Sequence, residues 1–143
     1  MACRLEIYRE EFMSALHTAT EAGHGTGAPD PVRAAYATER DHYSRARDAG
    51  DREAAWQHLE RAHIIAQPRL GLHWSSHIDM LGFALSCRDV REIFGQLLRI
   101  MLVPLGALTG RLPVGNTGRA RVSAFAPMPV PEDLRPYLPG DTL

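Results

Sequence analysis

The sequence predicts an all-α protein, a compact bundle of four to five helices followed by an extended C-terminal strap rich in Pro and Gly. Three observations predict this class. Apolar residues recur every three or four positions through most of the first 110 residues, capping and breaking residues divide that stretch, and six prolines follow position 111. We interpret residues 1–143 as a single domain, with helices in 1–110 and with 111–143 as a tail packed on them.

The first two predicted helices have clear boundaries. Apolar residues lie at helical spacing from residue 4 to about 22, and three glycines between positions 23 and 27 end the pattern. Asp30 and Pro31 then provide a cap and a first-turn proline for a second helix, which extends through Ala49 and stops at Gly50.

Three more helices follow in the sequence. Asp51 caps the third, which ends at Pro68 and has a narrow stripe of small apolar residues typical of close packing. The fourth covers about 72–86. The fifth runs from about 89 to 110, and we expect Pro104 to kink or end it.

Composition and charge argue against several classes of partner. The net charge is -1, and the 16 basic residues, all Arg, form no stripe that could follow a phosphate backbone. We therefore expect no nucleic acid partner. Cys3 and Cys87 form no metal or redox motif, which favours a cytoplasmic location. No segment has the roughly 20 apolar residues of a membrane span, so we expect no membrane association. Apolar residues of the fifth helix could face a core or the second chain of a homodimer.

Two pairs of ligand-type residues stand out in the third and fourth predicted helices. Glu60 and His63 lie three positions apart, and His73 and His77 lie four apart. At these spacings both members of a pair project from one helical face and can reach a single ion. The break at Pro68 lets the two helices fold back on each other, so the pairs can converge. The sequence therefore predicts a metal site with these four residues as ligands.

A shell of three imidazoles and one carboxylate suits one transition-metal ion, with zinc, iron and copper as candidates. We expect a small metalloenzyme acting on a small-molecule substrate, with Glu60 either in the shell or outside it as a general base. A metal buffer or sensor, with no open coordination position, is one alternative. A helical protein-interaction module, in which the histidines are incidental, is another.

Two further residues could support this site. Gln67 shares a helical stripe with Glu60 and His63, while His58 falls on the other flank of the apolar stripe. We expect His58 and Gln67 to orient a ligand through a hydrogen bond or to take the place of one. Glu39 and His42 form a second Glu-x-x-His pair, which together with Glu60 and His63 is similar to the signature of ferritin-like di-metal bundles. A dinuclear site is therefore a further alternative, although the helices are short for that fold.

The turn at 115–118, with the sequence GNTG, is a candidate for substrate binding. Its backbone amides and the flanking Arg111 and Arg119 could bind an anionic group, and Asn116 and Thr117 could add side-chain contacts. An ordinary turn explains the same residues. The sequence has no nucleophile elbow, P-loop or dinucleotide fingerprint.

Four blocks occur in order along the chain: AWQHLERAHIIAQ, HWSSHIDML, FGQLLR and GRLPVGNTGRARVSAFAPMPVPEDL. Together they resemble a small bacterial family known as domain of unknown function 3703, over about residues 55–134. The resemblance implies a compact bacterial helical domain and brings no established activity. The first predicted helix and the segment 23–31 lie outside the resemblance.

Overall fold

The computed structural model describes residues 30–109 and 113–139. Four helices are present in this part of the chain: α1 (Pro31–Asp48), α2 (Arg52–Ala66), α3 (Leu70–Ser86) and α4 (Val90–Thr109). A short 3-10 helix, Glu132–Tyr137, lies near the end of the extended segment that follows α4. The all-α prediction with a C-terminal strap is confirmed. The helix predicted over 4–22 lies outside the described residues.

The capping residues lie at the predicted positions. Asp30 Oδ1 accepts a hydrogen bond from the backbone N–H of Val32 at 3.0 Å, and Asp51 Oδ1 accepts one from that of Ala54 at 3.0 Å. Gly50 has a φ of +76°, a conformation that costs glycine little, and it turns the chain between α1 and α2. These local signals explain why the boundaries of the first two described helices were predictable.

The two later helices begin and end close to the predicted positions. The helix α3 begins at Leu70, two residues before the predicted start at about 72, and Gly71 lies in its first turn. The helix α4 continues through Pro104 to Thr109, although a proline at that position cannot donate a hydrogen bond to the preceding turn. Of the two outcomes expected at Pro104, an end of the helix is therefore wrong.

The helices pack in chain order, α1 on α2, α2 on α3 and α3 on α4. One apolar core lies around Phe83, whose ring makes edge contacts with Trp56 and Tyr43 at centroid distances of 5.0 and 5.5 Å. A second core joins α1 and α2 near Tyr36 and Ile65, and Leu134 from the 3-10 helix is buried in it. The end of the strap is thus part of the apolar core.

Buried polar side chains hold the rest of the strap, residues 113–139, on the helices. Gln67 donates to the carbonyl oxygens of Pro113 and Asn116, both at 3.1 Å, and accepts from Gly115 N–H at 2.9 Å. Arg99 Nη2 donates to the backbone oxygen of Arg119 at 2.7 Å. These bonds replace the water that the strap backbone would otherwise need, so the strap follows one defined path.

One face of α4 is apolar and exposed. Phe94, Leu98, Met101 and Leu105, which share this face, are 57–71% exposed. None of the described helices is long and apolar enough to cross a membrane. The homodimer suggested by the apolar residues of this helix stays a prediction.

Candidate metal centre

Three histidine side chains converge between α2 and α3. His63 projects from α2, and His73 and His77 project from one face of α3, one turn apart. Their ring centroids are 4.5–5.1 Å from one another, and one nitrogen of each ring lies within 4.8 Å of the others. All three residues are at most 5% exposed. The turn at 67–69 reverses the chain and brings the two helical faces together, as the sequence predicts.

A serine fixes the proton on the ring of His63. Ser76 Oγ donates its hydrogen to the backbone oxygen of His73 at 2.7 Å, so toward other groups this oxygen can only accept. It lies 3.0 Å from His63 Nδ1, which must therefore carry the hydrogen of that bond. In the neutral ring, Nε2 is left with a free lone pair. That is the nitrogen state that a metal ion requires.

A glutamine does the same for His77. The Gln96 amide nitrogen donates to two acceptors, the Gly118 carbonyl oxygen at 2.9 Å and Glu92 Oε2 at 3.3 Å. This fixes the orientation of the amide, and its oxygen accepts from His77 Nδ1 at 2.8 Å. His77 therefore also presents an unprotonated Nε2. Gln96 is fully buried and Glu92 is 1% exposed, so this chain of bonds is shielded from water.

His73 differs from the other two because its Nδ1 is buried without a hydrogen-bond partner among the described residues. Leaving a buried polar nitrogen unpaired costs about 1–3 kcal/mol. Such orphaned groups are rare in folded proteins and call for a structural explanation. An ion bound at this nitrogen would supply the missing partner.

Burial keeps all three imidazoles neutral. It is the largest cause that lowers the pKa of His73 to about 4 and that of His77 to about 3. The pKa of His63 is also lowered well below 6.5, by burial first and then by repulsion from the charged forms of His77 and His73. At neutral pH the cluster therefore consists of uncharged rings, the state in which imidazole binds metals.

The strap covers the cluster with backbone. Gly118 packs directly on the His63 ring, because a Cβ at this position would lie 2.9 Å from Cδ2 and 3.0 Å from Nε2 of that ring. Its φ of +77° is also a conformation that other residues rarely adopt. Its carbonyl oxygen, as described above, orients Gln96. One glycine thus contributes both to the shape of the site and to its hydrogen bonding.

Glu60, the fourth predicted ligand, does not belong to the group of converging nitrogens. Its carboxylate accepts a hydrogen bond from Arg119 Nη1 at 3.0 Å. Burial raises the pKa of the Glu60 carboxyl, although Arg119 acts in the opposite direction. The structure thus brings together His63, His73 and His77 and pairs Glu60 with a strap residue.

The two supporting candidates lie elsewhere. His58 Nδ1 is 2.8 Å from Glu39 Oε2, and its ring lies 5.0 Å from that of His42, on the α1 side of α2. Gln67 is occupied with the strap backbone, as described above. Neither residue contacts the three converging rings through a hydrogen bond that the structure shows.

The proposed anion site at 115–118 is built differently from the expectation. Asn116 is 2% exposed and uses its amide to donate to Ser123 and Ala126 oxygens, while its Oδ1 accepts from Gly118 N–H. Arg119 pairs with Glu60 and Glu92 and stacks on the Trp56 ring at 3.9 Å. These two side chains therefore stabilise the strap. Thr117 is half-buried, and Arg111 lies outside the described residues.

Sequence reasoning missed the residues that orient the imidazoles: Ser76, Glu92, Gln96 and Gly118. Gln96 left a signal, because it is a polar residue inside the apolar run of α4 and lies four positions after Glu92. A buried amide in such a run needs partners. Its partner on α3 could not be read from spacing, since the two are 19 positions apart.

Comparison with known proteins gives a family and no activity. A search of curated proteins and a search of solved structures gave no match. The family model described as protein of unknown function DUF3703 matches residues 30–138, which include all four described helices and nearly all of the described strap. The chain therefore belongs to the DUF3703 family.

Proposed function

We propose that this protein binds one transition-metal ion through the imidazoles of His63, His73 and His77. The observation that carries the proposal is the convergence of three buried, neutral imidazoles from two adjacent helices. Two of them have Nδ1 committed to a hydrogen bond, and the third has a buried nitrogen without a partner. A set of three imidazoles suits zinc, copper or iron.

The number of ligands favours a metalloenzyme. Catalytic zinc sites commonly have three protein ligands and keep the fourth position for water or substrate. A zinc ion in such a site lowers the pKa of its bound water toward about 7. Glu60 lies one helical turn from His63, and its raised pKa suits a group that accepts a proton from a small-molecule substrate.

A non-catalytic metal buffer or sensor is the second candidate, and the depth of the site favours it. All three ligands are at most 5% exposed, and the backbone of Gly118 lies against the His63 ring. A closed site of this kind would exchange its ion slowly and would leave no position open for substrate. The proposal includes a location in the cytoplasm, where such a buffer would act.

Elemental analysis tests metal binding. The purified full chain, reconstituted with zinc, copper or iron and dialysed, should retain about one ion per chain, and His73→Ala should retain almost none. His42→Ala is the matched control and should keep the ion, because His42 belongs to α1 and lies on the other side of α2. Circular dichroism checks that each variant folds, and His73→Gln provides a second variant if the alanine does not. An ion-free wild type or full occupancy in both His73 variants would overturn the proposal.

Cobalt substitution separates the two functions. In an enzyme site the absorption spectrum of bound cobalt should change when azide or cyanide is added, because the anion takes the open position. In a buffer or sensor the spectrum should stay the same.

A further inference from the structure

We propose a second divalent-ion site on the opposite side of α2, formed by Glu39, His42 and His58, weaker than the three-histidine site and open to solvent. This inference is independent of the proposed function, because the two sites share no residue. The site uses two residues of α1 and one of α2, the two helices joined by the tight turn at Gly50.

The side chains of Glu39, His42 and His58 converge, as those of the three-histidine cluster do. Glu39 and His42 lie one turn apart on α1, and His58 faces them from α2. One ligand atom of each residue lies within 4.8 Å of the others. Glu39 Oε2 is 2.8 Å from His58 Nδ1, and the His42 and His58 rings are 5.0 Å apart.

The position on α2 separates this site from the first. His58 and His63 are five residues apart, which places them about 140° apart around the helix axis. The ferritin-like alternative required Glu39, His42, Glu60 and His63 to surround one pair of ions. The described structure places Glu39 and His42 with His58 instead, so the geometry favours two separate mononuclear sites.

Donor chemistry and exposure define the class of ligand. Two imidazoles and one carboxylate form the donor set of many zinc and non-haem iron sites, and this set also suits manganese, cobalt and nickel. Glu39 is buried, whereas His42 and His58 are half-buried, so an ion can enter directly from water. The first site has no such access through its ligands.

Arg61 explains why this second site should be weak. Its Nε donates to Glu39 Oε1 at 2.7 Å, and its guanidinium also pairs with Asp133 of the 3-10 helix. One carboxylate oxygen is therefore already neutralised by a fixed cation. The other oxygen accepts from His58 Nδ1 and can bind an ion only in place of that hydrogen bond, and the ion would meet repulsion from the guanidinium charge. Removing this charge should strengthen ion binding.

The test is a calorimetric titration of zinc into the full chain. The wild type should show a second, weaker event after the first equivalent. His42→Gln and Glu39→Gln should each weaken it by about tenfold or more, because each removes a ligand. Glu53→Gln, which removes an exposed carboxylate from the same helix, should leave it unchanged.

Arg61 distinguishes an ion site from an ordinary network of charged side chains. Arg61→Gln should raise the zinc affinity of the second site by roughly tenfold, since it removes the competing charge. Arg61→Lys, which keeps the charge, should have the wild-type affinity. A network with no role in ion binding predicts that Arg61→Gln lowers stability and leaves zinc binding unchanged. That result, or an unchanged second event in His42→Gln, would overturn the inference.

The titration also keeps this inference distinct from the proposed function. His73→Ala should lose the first event and keep the second. His42→Gln should keep the first event and weaken the second. Loss of both events in either variant would contradict the separation of the two sites.

Discussion

The two histidine clusters on the two sides of α2 differ in the charge of the groups that surround their side chains. The three-histidine cluster contains no carboxylate, lies under the strap and has neutral polar partners, Ser76 and Gln96. The Glu39 cluster is half-exposed and is paired with the Arg61 cation. The same ligand type is therefore kept neutral by burial in one place and held near full charges in the other.

This difference shows what a buried cluster of neutral histidines requires from its surroundings. A charged imidazole is unfavourable in a dry interior, so burial is the main cause that keeps each ring neutral, with one nitrogen not protonated. Orientation must then come from uncharged hydrogen-bond partners. An exposed cluster needs no such preparation, but protons, water and neighbouring cations compete for its ligand atoms.

The largest expected effect comes from the glycine that covers the closed cluster. Gly118→Ala should lower the free energy of unfolding by roughly 2–5 kcal/mol, because it combines a positive φ with a Cβ pressed on the His63 ring. It should also abolish zinc binding at the three histidines and leave the Glu39 cluster intact. Urea unfolding and zinc calorimetry measure the two effects.

Gly50→Ala is the matched control for this variant. Gly50 has nearly the same φ, +76°, and a Cβ there would meet nothing within 4 Å. Gly50→Ala should therefore lower the free energy of unfolding only through the positive φ, by roughly 1 kcal/mol, and should leave zinc binding unchanged. Equal effects of the two substitutions would mean that contact with the His63 ring contributes nothing.

A smaller effect is expected from the amide that orients His77. Gln96→Leu should weaken zinc binding at the three-histidine site by about 10- to 100-fold, because it releases the ring from its favoured tautomer and orientation. Binding at the Glu39 cluster should not change. Gln57→Leu, an exposed position on α2, is the control. An unaltered first binding event in Gln96→Leu would show that the ring is held by packing alone.

The effect of a single titrating residue is the smallest, and it concerns the metal-free protein at mildly acidic pH. In the folded state the pKa of His73 is about 4 and that of His77 about 3, both below the unperturbed value of 6.5. As the pH falls below 6.5, the unfolded chain binds protons that the folded chain excludes. The free energy of unfolding should therefore decrease, by up to about 1.4 kcal/mol per pH unit for each histidine, until the folded pKa is reached.

Urea unfolding of chelator-treated protein at pH 7.5, 6.5 and 5.5 measures this slope. His77→Gln should flatten it, because one buried titrating ring is removed. Gln57→Leu, which removes no titrating group, should leave it unchanged. A slope that is the same in His77→Gln and the wild type would contradict the assigned burial effect.

The sequence was sufficient for the helices of the described residues and for the three histidines that converge, since both depend on local rules. Asp30, Asp51 and Gly50 act within a few positions, and the spacing of His73 and His77 places both on one face of α3. The remaining parts depend on contacts distant in sequence. Glu60 meets Arg119 across 59 positions and Gln96 meets Gly118 across 22, and no periodic pattern records such pairs.

The strap also has a consequence for the order in which the protein is assembled. Contacts between successive helices are short-range and can form as soon as each hairpin exists, whereas Gly118 and Asn116 must wait for a segment that follows all four helices. During synthesis, α2 and α3 can therefore pair before the covering segment has emerged. An ion could reach His63, His73 and His77 in this interval, and docking of the strap would then enclose it.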